Sequence, residues 1–433
     1  MKRLLIALAV LLLPAAFAVA QDAESAPDAR PADVTAHLDT ADGPVAVPEI
    51  TARAMSYYRS GNWLWAFKHL WALIVPAIIL FTGLSARIRD GARAIGRNWY
   101  FTIGVYFALY TLIIFVIELP LAYYQGFARP HAYDLSNQTF GKWFGDSFKE
   151  LFLNIAAGFM FLWILYGLLR LSPKRWWLYV GLALIPVLLF IYLISPVWVD
   201  PLFHDYGPLE DKELEAKVLA LAERAGVEGT DVYEVDLSVD TKALSAWVTG
   251  FLNTKRIVLT DNIIAAMTDE EVLFVVGHET AHYVLGHMPR IVIFLAVVFM
   301  AALWVVHLFS AGLIQRFKHR FGFDQLSDVA SLPLILLLFS LASFVITPAT
   351  MAFVRWHERE ADRFALEITQ TNSAGARAFV KLQHTNLGNP RPGMLYKLWR
   401  SSHPTLAERI EFCNDYRPWE TGEPLVYAEY FTP

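Results

Sequence analysis

The chain is 433 residues long, 56% hydrophobic and only 18% charged, with 30 Phe and 14 Trp. A soluble domain is usually about 45–50% apolar; here the excess lies in long uncharged runs, which excludes an ordinary soluble fold and indicates a polytopic membrane protein. A formal net charge of −5 without a basic, aromatic-rich cluster excludes nucleic acid as a partner, and the single cysteine, Cys413, excludes an intrachain disulfide and a thiolate-built zinc site.

Met1-Lys-Arg, an apolar run over 4–19 and the close Ala18-Val-Ala20 predict a bacterial secretory signal over 1–20, cleaved before Gln21. The alternative is an uncleaved first membrane helix, against which Pro14 and the short run argue. Residues 21–62 are rich in Ala, Asp and Pro and read as a weakly ordered polar segment. Four apolar runs, at 64–84, 101–124, 151–171 and 177–197, are each long enough for a hydrocarbon core of about 30 Å and place a four-helix membrane region over 63–198. A soluble part is expected over 199–290. Spans at 291–314 and 332–346 occupy 291–350, and a polar part closes the chain over 351–433.

Loop charge sets the orientation. Arg87, Arg89, Arg93 and Arg97 follow the first span, Arg170, Lys174 and Arg175 the third, and Arg316, Lys318, His319 and Arg320 the fifth. With alternating crossings these loops share one side. That side is then cytoplasmic, and the two polar parts face the periplasm of a bacterial inner membrane.

In the soluble part, 211–225 is amphipathic, with Leu214, Val218, Leu221 and Ala222 on one stripe and Gly226 as a stop. Stretches 231–235, 246–249 and 256–259 have strand character. An exposed strand edge there could receive substrate backbone by strand addition; equally, the sheet could only support the helix that follows. Thr268-Asp-Glu-Glu271 then opens a helix as a capping box. That helix carries His278-Glu279-Thr-Ala-His282, an H-E-x-x-H. Residues four apart return to nearly one face, so both imidazoles can bind one zinc ion. Glu279, turned roughly 100° away, can hydrogen-bond the water on that ion as general base. His287, nine positions beyond His278, is expected on the opposite face and out of reach.

Two imidazoles do not complete a catalytic zinc site; a third protein ligand is needed. Past the last span lies Arg355-Trp-His-Glu-Arg-Glu-Ala-Asp362. Glu358 and Asp362 share a helix face, so Glu358 can ligate while Asp362 holds a ligating imidazole. Glu360 lies on roughly the opposite face and is the weaker candidate, while His357 is a rival whose direction differs from that of Glu358 by about 100°.

These motifs resemble the integral-membrane zinc metallopeptidases of the CAAX prenyl endopeptidase family: H-E-x-x-H, two membrane helices, then R-x-x-E-x-x-A-D, here Arg355, Glu358, Ala361 and Asp362. A downstream H-P-x-x-x-x-R-I is matched by His403 to Ile410, and N-A-x-x-x-G before an I-V-L strand is similar to Ser245–Gly250 and Ile257–Leu259. The resemblance implies a mainly α fold, a polytopic helical membrane protein with a small α+β, gluzincin-like catalytic domain split by two transmembrane helices. It implies one Zn2+ on His278, His282 and Glu358, Arg355 as a supporting residue, and His403 as oxyanion donor helped by Arg409. Substrate backbone would be gripped at Ser245, Ala246 and Trp247. Ser245 departs from the family's asparagine, and a hydroxyl cannot offer an amide's paired donor and acceptor.

The expected activity is zinc-dependent hydrolysis of peptide bonds in membrane or envelope proteins, Glu279 activating the metal-bound water and passing its proton to the leaving amine. Two other readings are an intramembrane site-two-type protease and a catalytically silent scaffold or chaperone. The first is disfavoured by the capping box and by a Glu rather than an Asp as third ligand; the second, by the completeness of the side chains.

Overall fold

A computed structural model of the chain describes residues 43–250 and 255–432. The signal over 1–20, and 21–42 of the polar segment, lie outside the described residues. The remainder of that segment differs from expectation. Val45 is buried, and its N–H and carbonyl pair with the Asn414 side chain at 2.9 and 2.8 Å. From Ala52 the chain is already helical, because Thr51 caps it by accepting from Ala54 N–H.

The membrane region begins with α1 (Ala52–Phe81) and α2 (Leu84–Gly96). It continues with α3 (Trp99–Tyr123), α4 (Phe140–Leu171) and α5 (Trp176–Ile194). The arginine-rich loop expected after the first span is in fact α2. It is amphipathic, with Ser85, Ala86, Ile88, Arg89 and Ala92 buried. Arg89 reaches Asp328 Oδ2 at 2.7 Å and the Gly322 carbonyl at 3.0 Å, so the first and last of the basic connections meet at one end of the bundle.

The soluble part holds β1 (Tyr206–Pro208), α6 (Lys212–Arg224), β2 (Asp231–Val235), β3 (Ala246–Thr249) and β4 (Arg256–Thr260). After it come α7 (Asp269–Val284), α8 (His287–Phe321) and α9 (Leu332–Thr369). The chain ends in α10 (Asn372–Thr385), α11 (Met394–Trp399) and α12 (Leu406–Asp415). Among the described residues five helices are long and apolar enough to cross a membrane. A sixth counts if α5 and the turns after it, bent by 45°, form one span.

The sheet runs β1-β2-β4-β3, with β2 and β4 parallel (Val232 opposite Ile257) and β3 antiparallel to β4 (Trp247 opposite Val258). β1 carries too few residues to signal itself in sequence. β4 is central, and Ile257, Val258, Leu259 and Thr260 are all buried. β3 is an edge. α7 packs beside it and along α9.

Two large apolar cores result, beside a small cluster of Ala54, Tyr57, Leu135 and Leu387. One lies in the bundle, around Leu80, Tyr106, Tyr166, Phe299 and Phe339. The other joins residues on both sides of the last two long helices, from Leu214, Ile257 and Phe274 to Phe364, Phe379 and Ile410. α9 belongs to both cores. Its 38 residues span about 57 Å at 1.5 Å per residue, almost twice a hydrocarbon core of about 30 Å. Its far end therefore stands outside the bilayer.

Candidate metal centre

The H-E-x-x-H stretch lies on α7 as its capping pattern predicts. Thr268 N–H donates to Glu271 Oε2 at 2.9 Å, and the same carboxylate accepts from Arg377 Nε (3.2 Å) and Lys381 Nζ (2.7 Å). The cap is thus also the bolt joining α7 to α10. Small residues set how near α7 comes to α9. A Cβ added at Gly277 would sit 3.3 Å from Ile368 and 3.4 Å from Ala365, and Ala281, Ala361 and Ala365 are completely buried. Backbones that approach this closely let short side chains from the two helices meet.

His278, His282 and Glu358 do meet. His278 Nε2 is 3.3 Å from His282 Nε2 and 3.2 Å from Glu358 Oε2, and His282 Nε2 is 3.7 Å from Glu358 Oε1. One ligand atom from each lies within 4.8 Å of the others. Bonds of about 2.0–2.2 Å to a shared tetrahedral ion would space ligand atoms by about 3.3–3.6 Å. Glu358 Oε2 is buried and makes no hydrogen bond, although His403 Nε2 lies 3.0 Å from it. Two imidazoles and a carboxylate with an unsatisfied oxygen suit a zinc-type cation.

Behind His278, its Nδ1 meets Asp362 Oδ1 at 2.9 Å. Arg409 grips Asp362 with two contacts, Nε to Oδ2 at 2.9 Å and Nη2 to Oδ1 at 2.6 Å. Electrostatics follow the same layout. Burial opposes a charge on His278, but the hydrogen bond to Asp362 and the neighbouring carboxylate of Glu358 outweigh it and raise its pKa to about 10. A bound cation would take the place of that proton. His282 is pushed down to about 4 by burial, against the pull of Glu358, and so keeps a free lone pair at neutral pH. Half-buried Glu279 is pushed up to about 7 by burial, with His278 opposing and Glu358 reinforcing the shift. A carboxyl tuned near neutrality is suited to accepting and returning a proton.

Three further residues flank this centre. Arg409 does not reach for an oxyanion. It is buried behind His278, because its charge is spent on Asp362 and its guanidinium lies 4.0 Å from the Phe379 ring centroid. Arg355 touches neither ligand nor base. It donates to the carbonyls of Lys397 and Ser401, both at 2.6 Å, and so ties α9 to the segment leading to His403. His287 is not on the motif helix. α7 ends at Val284, Gly286 adopts a left-handed φ of 65°, and His287 opens α8 with its Nδ1 3.0 Å from His282 Nδ1. The signal for that turn was Gly286 itself. Ala246 and Trp247 open the edge strand β3 and Ser245 precedes it, its carbonyl accepting from the Thr260 hydroxyl at 2.8 Å.

A helical membrane bundle that carries an H-E-x-x-H helix and a carboxylate from a neighbouring helix defines a membrane-embedded metallopeptidase. Two family models cover most of the chain: CAAX prenyl protease N-terminal, five membrane helices, over residues 44–205, and peptidase family M48 over residues 208–416. A Bacillus subtilis protein described as the uncharacterized metalloprotease YhfN is 36% identical over 335 residues, 77% of this chain and 78% of that one. CAAX prenyl protease 1 of Saccharomyces cerevisiae is 30% identical over 68% of each chain. The crystal structure of S. mikatae Ste24p shares the fold, with a TM-score of 0.74 over 96% of this chain and 99% of that one at 23% identity. The chain belongs to peptidase family M48 and is a CAAX prenyl protease-like metalloendopeptidase.

Proposed function

We propose that the chain is a one-zinc endopeptidase of the bacterial inner membrane that processes or clears membrane and envelope proteins. His278, His282 and Glu358 hold the ion. The carrying observation is that three ligand atoms, drawn from helices 80 residues apart in sequence, converge within 4.8 Å around a buried carboxylate oxygen without a hydrogen bond.

When bound, the ion supplies Lewis acidity, acidifying water and polarising the scissile carbonyl. Glu279 takes the proton of the attacking water and passes it to the leaving amine. His403, whose Nδ1 is 2.8 Å from Ser402 Oγ and whose Nε2 faces the site, donates to the developing oxyanion. Asp362, backed by Arg409, keeps hydrogen on His278 Nδ1 and so leaves Nε2 free to ligate. Substrate backbone pairs along the edge at Ser245, Ala246 and Trp247. The catalytic part comprises 199–290 and 351–433, either side of the spans in 291–350; the core they share supports this division. Loop charge supports a periplasmic position for it.

The test is Glu279→Gln in the purified protein. Peptide hydrolysis should fall by about 10²–10⁴-fold with zinc content unchanged. Hydrolysis near the wild-type rate would sink the mechanism.

A further inference from the structure

We propose that His287, with Glu360 and His357 behind it, is the positioning group that makes His282 a metal ligand, as Asp362 does for His278. This rests on His282 holding the ion through Nε2.

An imidazole that ligates through Nε2 keeps its hydrogen on Nδ1. His282 Nδ1 faces His287 Nδ1 at 3.0 Å, with the two rings edge-on at 75°. His282 must then be the donor and His287 the acceptor, which leaves neutral His287 with its hydrogen on Nε2. That nitrogen faces Glu360 Oε2 at 3.5 Å. His357 turns Nδ1 to the Phe353 carbonyl at 3.0 Å, so its Nε2 is a bare acceptor. His287 Nε2, His357 Nε2 and Glu360 Oε2 are buried, form no hydrogen bond, and belong to three side chains whose ligand atoms lie within 4.8 Å of one another. His287 and His357 are 0% exposed. One N–H thus stands beside two unsatisfied acceptors, Glu360 Oε2 at 3.5 Å and His357 Nε2, so the hydrogen that His282 requires on His287 Nε2 has acceptors close by.

The same trio could be imagined holding a second cation. That ion would need the lone pair of His287 Nε2, moving the hydrogen to His287 Nδ1. His282 would then have to accept at Nδ1, and a neutral His282 could no longer ligate through Nε2. The two arrangements exclude each other, and the first is consistent with the metal centre.

The inference is tested in the full-length protein in detergent by zinc content and by the rate of zinc loss to a chelator. His287→Leu removes the acceptor, and zinc should leave about 10–100-fold faster. His287→Asn keeps an acceptor oxygen near the Nδ1 position and should restore retention to within a few-fold. Glu360→Leu, which leaves the His282–His287 contact itself in place, should speed loss by only a few-fold. In cobalt-substituted protein, Leu but not Asn at 287 should shift the visible bands. Equal zinc loss from the Leu and Asn variants overturns the inference, as does a second equivalent of zinc in the wild type that disappears in His357→Leu. If His282→Leu retains zinc like the wild type, the ligand reading itself falls.

Discussion

The membrane bundle and the catalytic part are held together by opposite means. In the bundle, large apolar side chains lie over glycines. A Cβ at Gly104 would meet Phe159 at 2.2 Å, one at Gly158 would meet Phe107 at 1.9 Å, and one at Gly181 would meet Met300 at 1.9 Å. Lipid is as apolar as leucine, so helices in it gain by close packing rather than by apolar burial, and small residues permit that packing. The outward face is apolar and undemanding: Phe152 is 71% exposed and Val345 75%. The catalytic part buries apolar surface and also runs charge through its core, with Glu271 between Arg377 and Lys381 and Asp362 against Arg409. Such pairs are costly to break by halves. α9 serves both, packing Leu334, Ile335 and Phe339 into the bundle core in its opening turns and carrying buried charge at Glu358 and Asp362 further on.

The contrast can be broken most severely at Glu358. Glu358→Ala should bring zinc content and hydrolysis to background while the bundle stays folded, read by metal analysis and circular dichroism. Arg409→Met strands a buried carboxylate and should cost the catalytic part about 3–5 kcal/mol, seen in thermal melts and in faster zinc loss. Gly158→Ala overpacks the bundle against Phe107 and should cost about 1–3 kcal/mol, without changing zinc affinity. Phe152→Leu, on the same helix but facing outward, should stay within about 0.5 kcal/mol. If Gly158→Ala proved as harmless as Phe152→Leu in unfolding measurements, the account of the bundle would fail.

Much of this was legible in the residues because it is local. Long apolar runs announce helices that must satisfy their own backbone in lipid. The capping box and the four-residue spacing of His278 and His282 act within one helix. Asp211 and Gly226 bound α6 where the pattern placed them, since a cap and a left-handed stop are set by neighbours along the chain. Other features were not legible. β1 is three residues long and exists because it pairs with β2. Helix α2 looked like a basic loop because its buried Arg89 finds its partner, Asp328, only 239 positions later.

By itself the amino-acid sequence determined the class of protein, the helices that cross the membrane and one helix face bearing two imidazoles, because periodicity and capping depend on nearby residues. Only the tertiary structure decided what stands behind each imidazole. Asp362 and Arg409 come to His278 from 84 and 131 positions away, and a left-handed glycine swings His287 back onto His282. Those contacts depend on how closely α7, α8 and α9 pack, a distance set by buried small residues that no spacing along the chain expresses.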